Sequence, residues 1–163
     1  MRPMQMLVGL TLLALTVTAC APAGFTIDQG RFASNGERIY FTGAGATGRI
    51  GYSGGEFGGG MMGSGRLACV DCHGPDARGG QHVMHMTVMD APDIRWATLS
   101  QAEHGDHGDE GEMDHPPYDE AAFKQAVTQG LNPGGRPLGP AMPRWRMSEQ
   151  DLDELIAFLK TVD

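Results

Sequence analysis

The sequence is poor in basic residues, in aromatics and in cysteine. Lysine and arginine number 12 against 20 aspartates and glutamates, a formal net charge of −8. A chain so short of cations lacks the basic face that phosphate contacts need, which argues against nucleic acid as a partner. Aromatics make up only 7% of the 163 residues, while 25 are glycine and 10 proline. An unusual share of the chain is therefore loop, and the packed core is small for a chain of one domain's length. Something beyond apolar burial is needed to hold such a fold.

Long hydrophobic runs are also scarce. The one uncharged, mostly apolar run is Met6–Ala19, preceded by Arg2. Residues 1–19 have the layout of an export signal, too short for a comfortable membrane span of ~20 apolar residues. The run ends Val17-Thr18-Ala19-Cys20, small residues before a cysteine, which resembles the lipobox of bacterial lipoproteins. That resemblance implies cleavage before Cys20, a diacylglycerol on its thiol, and an anchored protein facing the periplasm or cell exterior, with residues 20–30 as a tether. The competing reading is an ordinary signal peptide cut near Ala21-Pro22-Ala23. Under both readings the mature chain is exported. It is strongly acidic, which favours a partner with a basic docking face.

Three cysteines are an odd number for an exported protein. Cys20 is explained by the lipid. The other two stand in Cys69-Val70-Asp71-Cys72-His73. In a C-x-x-C-H sequence two thiols add across the vinyl groups of a haem and the adjacent histidine ligates the iron. Two other uses compete. A thioredoxin-like redox site would need a strand–helix pattern of βαβ type around it, and none is evident. A zinc site recruiting Cys69, Cys72, His82 and His85 would need its histidines three to five residues apart, whereas only Val83-Met84 intervene. Covalent haem is the most specific fit, and the export signal delivers the thiols to the compartment where attachment occurs.

Between 31 and 163 the patterns are those of short helices. Residues 24–42 hold a helix candidate with Phe32, Ile39, Tyr40 and Phe41 as its apolar face and Ser34 or Asn35 as its cap. Residues 43–65 carry 11 glycines and read as a long loop or a loose hairpin around Arg49-Ile50-Gly51-Tyr52. Gly74–Gly80 reads as a tight turn. Pro92 suits the first turn of a short helix with Ile94, Thr98 and Leu99 on one side. Residues 103–117 form an acidic, histidine-containing loop. In 118–129, Ala122, Phe123, Ala126 and Val127 make one stripe that Gly130 stops. Met142 lies in a proline- and glycine-rich loop, 131–147. The last segment is a helix capped by Ser148, with Leu152, Leu155, Ile156 and Leu159 at i, i+3, i+4 and i+7.

An early C-x-x-C-H, a late Met142-Pro143 in a proline-rich loop and the terminal helix Ser148–Lys160 resemble the class I c-type cytochromes, over about residues 31–42 and 67–163. The resemblance implies an all-α fold of four to five short helices around one covalent haem c, the first helix crossing the last. It implies that Cys69 and Cys72 hold the haem, that His73 is the proximal and Met142 the distal ligand, and that the Pro92 carbonyl receives the proximal histidine's N–H. Two features depart from the family: the glycine-rich insertion 43–65 separates the first helix from the cysteines, and the stretch 81–115 offers His82, His85, Met86 and Met89 as rival distal ligands.

A haem with histidine nitrogen on one side and thioether sulfur on the other has both axial positions filled, which suits outer-sphere electron transfer and disfavours binding of O₂ or peroxide. Flanking prolines stiffen the Met142 loop, so holding its sulfur in place costs little further entropy. Arg136, Arg144, Arg146 and Trp145 lie near enough in sequence to reach haem propionates, against the commoner state of a solvated arginine. The functional expectation is a lipid-anchored one-electron carrier between exported or membrane redox proteins. The alternatives are a haem enzyme or sensor with an open distal position, and a copper- or zinc-binding protein using His82, His85, His104, His107 and His115 with the surrounding acids and methionines, Met113 among them. The plainer reading of that tract is a solvated docking loop.

Overall fold

The computed structural model describes residues 31–55, 67–84, 87–101 and 115–163. The signal and tether with Cys20, residues 56–65 of the glycine-rich stretch, His85, Met86, and the acidic tract with His104, His107 and Met113 lie outside the described residues, as does the side chain of His82. Among the described residues the order is α1 (Asn35–Thr42), β1 (Ala44–Gly45), β2 (Gly48–Arg49), β3 (Gly51–Ser53), α2 (Val70–His73), β4 (Gly80–Met84), β5 (Thr87–Ala91), α3 (Trp96–Leu99), α4 (Glu120–Gln129), β6 (Arg144–Arg146) and α5 (Glu149–Leu159).

The helix ends follow local chemistry. Ser34 and Ser148 sit in extended backbone ahead of α1 and α5, and their hydroxyls accept from the N–H groups of Glu37 (3.0 Å) and Asp151 (3.1 Å). Each cap satisfies one of the donors that a helix start leaves without an internal partner. Asp119 does the same for α4 through the Ala122 N–H at 2.7 Å, and Gly130, in the left-handed region, ends that helix.

The core lies where α1 packs on α5. Ile39, Tyr40, Leu152, Leu155, Ile156 and Leu159 are all but fully buried there. Burial of each such side chain is worth roughly 1.5–3 kcal/mol, as an upper estimate. Gly36 makes the approach possible: a Cβ there would lie 1.9 Å from the Glu154 carbonyl oxygen. Phe158 fills the space beside the contact, 5.3 Å from the Tyr40 ring centroid. At the rim the Asn35 amide donates to Asp151 (3.0 Å) and to Glu154. Helix α4 joins the far side of α5 through Lys124, paired with Asp153 (2.6 Å) and Glu149 (2.9 Å).

The all-α expectation needs correcting, because among the described residues three two-stranded antiparallel ladders accompany the helices. β1 and β2 form a hairpin that turns at Ala46-Thr47, earlier than expected, because Ile50 is drawn into the core. β3 then leaves the hairpin and pairs with β6, with Tyr52 opposite Trp145. β4 and β5 form a second hairpin in which Val83 and Val88 face each other and stay 76% and 62% exposed. The short helix expected from Pro92 begins instead at Trp96, with Arg95 in extended backbone before it. The Pro92 carbonyl is turned to His73, the partner that the family resemblance implies.

Candidate functional site

Helix α2 is a single turn built on the C-x-x-C-H sequence. The Cys69 carbonyl accepts from the Cys72 N–H at 3.2 Å and from the His73 N–H at 2.9 Å. Residues three apart share one side of a helix, so this turn presents both cysteines together. Asp71 steadies its start by accepting from the Ala68 N–H at 2.8 Å. No disulfide joins Cys69 to Cys72. Burial, with the neighbouring thiol and Asp71 adding to it, pushes the Cys69 thiol up to about 12. Burial and Asp71 raise Cys72 as well. A thiol–disulfide exchange site needs a cysteine whose pKa is lowered. The shift here runs the other way, against the thioredoxin-like reading.

His73 is buried, and its Nδ1 lies 2.9 Å from the Pro92 carbonyl oxygen. A neutral imidazole donating from Nδ1 carries its lone pair on Nε2, the nitrogen then available to a metal. Three contacts hold this pair together. The strap after the helix closes with the Gly79 N–H on the His73 carbonyl at 2.9 Å. Gly79 has φ +70 and lies so close to β5 that a Cβ would meet the Ala91 carbonyl oxygen at 2.0 Å. Ala77, also at positive φ (58°) and fully buried, accepts from the Ile94 N–H at 2.8 Å. That conformation costs a non-glycine residue roughly 1–2 kcal/mol, offset here by the contact it permits. The Tyr40 hydroxyl donates to the Gly74 carbonyl at 2.5 Å and ties α1 to the end of the turn. Burial, with Cys69 nearby, keeps that hydroxyl protonated well above the usual tyrosine range.

Asp93, next to Pro92, is a hub that sequence reading missed. Its carboxylate receives the Arg95 N–H at 2.9 Å, the Arg95 guanidinium at 2.5 to 3.1 Å and the Thr98 hydroxyl at 3.1 Å. Burial opposes its charge, but these donors outweigh burial and hold the carboxyl below its ordinary range. The available signal was the aspartate itself, whose side chain characteristically accepts from the N–H two residues on, here that of Arg95.

Met142 is half-buried and packs against the core. Its loop is bonded within itself: Asn132 donates to the Arg136 carbonyl, and Leu138 to the Gly130 carbonyl, both at 2.8 Å. The Arg144 guanidinium donates to the Leu138 carbonyl at 3.1 Å and to the Met142 carbonyl. That places Arg144 as a latch on the methionine loop. Trp145 is buried at 3% exposure, and Arg136 is exposed, its N–H donating to the Asn132 side chain. His115 meets Tyr118 edge to face and its Nδ1 lies 2.8 Å from the Pro116 carbonyl. No cluster of metal-holding residues is present among the described residues.

Two cysteines on one helical turn, followed by a histidine whose Nδ1 is tied to a carbonyl, fit a covalently held haem: the thiols would take its vinyl groups and Nε2 its iron. The turn therefore defines a haem-binding protein. The family model for cytochrome c matches residues 64–163, and the chain belongs to the cytochrome c family. No curated protein matches it. Family membership carries the class I cytochrome fold, covalently bound haem c and a haem-based electron-transfer role. Helix α1 precedes the matched region, yet it packs across α5 all the same.

The Asp93 hub sets a pH dependence. A carboxyl held below its ordinary 3.8 stabilises the folded state in full above that value and ceases to do so as pH falls through its folded value. Wild type should therefore be more stable than Asp93→Asn at neutral pH, and the gap should close on acidification. Denaturant unfolding of both holoproteins over a pH series checks this; a pH-independent gap contradicts it.

Proposed function

We propose that this protein is an exported, lipid-anchored, mono-haem electron carrier with His73 and Met142 as axial ligands. The observation that carries the reading is the His73–Pro92 hydrogen bond of 2.9 Å, which orients one ligand as a permanent structural feature. The latched, half-buried Met142 loop supports the second ligand. Bound haem supplies a one-electron iron couple, whose potential a thioether ligand raises. The protein's own work is to hold both side chains still, so that the change of oxidation state requires little movement, and to keep water from the site.

With both positions filled there is no place for a substrate at the metal, and the reading is a carrier rather than an enzyme. An acidic surface, with 20 carboxylates against 12 lysines and arginines over the whole chain, supports docking on a redox partner with a basic face. The Val17-Thr18-Ala19-Cys20 sequence supports anchoring through lipid on Cys20, facing the periplasm or cell exterior.

Met142→Ala should lower the reduction potential by more than about 59 mV, the tenfold step for a one-electron couple, and open the iron to carbon monoxide. Potentiometry and a carbon monoxide spectrum measure both, and wild-type behaviour in both would assign the distal ligand elsewhere. Cys20→Ser should move the protein from the membrane fraction to a soluble or uncleaved form. A variant that still sediments with membranes would remove the lipid anchor from the account.

A further inference from the structure

We propose that β3, contributed by the glycine-rich insertion, is a brace for the methionine loop, and that Tyr52 is a positioning residue for Met142 acting through Trp145. The proposal rests on the reading of Met142 as distal ligand. Strand β6 starts two residues after Met142, and β3 lies along it with Gly51 opposite Arg146, Tyr52 opposite Trp145 and Ser53 opposite Arg144. A ladder of three residue pairs is marginal by itself. Side-chain packing completes it: the Tyr52 and Trp145 rings sit 5.2 Å apart, tilted by 55°, and Trp145 is buried in the core.

The contact continues past the strand. A Cβ on Gly55 would lie 3.4 Å from Pro143 Cβ and 3.5 Å from the Ala141 carbonyl oxygen. The insertion thus passes beside both residues that flank Met142, at a distance a single added Cβ would close to van der Waals contact. Arg144 latches the loop through the Leu138 and Met142 carbonyls, and β3 lies along the strand that follows it. Residues 51–55 precede the stretch that the family model matches, so this brace is contributed by sequence outside the matched region.

An added ligand such as imidazole binds ferric iron only in the fraction of molecules whose methionine has left, so its apparent affinity reports how firmly the loop is held. In the haem-loaded full-length protein, Tyr52→Ala should tighten imidazole binding by at least about tenfold, the equivalent of about 1.4 kcal/mol, and lower the reduction potential. Tyr52→Phe, which keeps the ring, should bind imidazole as wild type does. If Tyr52→Ala yields no folded holoprotein, Tyr52→Leu is read in its place with the same expected direction. In a Met142→Ala background the Tyr52 substitution should add nothing, because the position is already open.

Wild-type imidazole affinity in Tyr52→Ala or Tyr52→Leu, alongside tightened binding in Met142→Ala, overturns the brace and leaves the ligand assignment standing. Unchanged affinity in Met142→Ala overturns the ligand assignment and the brace with it. An additive effect of Tyr52→Ala in the Met142→Ala background also overturns the proposal, since the residue would then act other than through the methionine.

Discussion

The hydrogen bond between His73 Nδ1 and the Pro92 carbonyl is the constraint on which the rest of the site depends. A histidine next in sequence to two thioether-forming cysteines has its backbone placed by the turn, but its ring can still rotate. The Pro92 carbonyl removes that freedom and selects the tautomer. The surrounding contacts keep this carbonyl where it is. Gly79 lets the strap close against β5, Ala77 adopts a costly conformation to receive Ile94, and Asp93 gathers Arg95 and Thr98 beside the proline. From the other side Tyr40 carries the position of the turn to α1, and so to the α1–α5 contact.

The same logic explains how a chain with so many glycines keeps a rigid centre. At Gly36 the missing side chain brings two helices to backbone contact, and at Gly79 it brings a strap to backbone contact with a strand. Both create close approach rather than slack. The proposed methionine side of the site is built differently, from a loop bonded to itself, latched by Arg144 and bordered by a strand from far away in the chain. The histidine is thus held by short-range geometry and the methionine by long-range packing.

That difference also separates what was legible in the sequence from what was not. The haem-binding turn, the Ser148 cap, the Gly130 stop and the α5 stripe are local signals, and each corresponds to an observed element. The β3–β6 pairing has no local signature, since three residues of a glycine-rich stretch meet three residues of a proline-rich loop; it was read as loop or loose hairpin. The β4–β5 hairpin was missed because Val83 and Val88 point outward, and no buried apolar face advertises it. Pro92 was placed in a helix because proline favours a first turn. The helix starts at Trp96 instead, while the carbonyl contact to His73 that the family resemblance implied is present. Arg144 and Trp145, expected near the haem propionates, also carry contacts that no local pattern announces: Arg144 latches the methionine loop and Trp145 lies in the core.

The central proposal is that His73 and Met142 would both ligate the haem iron, leaving the site to exchange electrons rather than take up a substrate. Mixing carbon monoxide with the reduced wild-type holoprotein tests this most directly. The account predicts that the haem absorption spectrum stays unchanged on the mixing timescale, as a position already filled by a braced ligand requires. A rapid spectral shift to a carbon monoxide complex would contradict it and mark the protein as a haem enzyme or sensor with an open site.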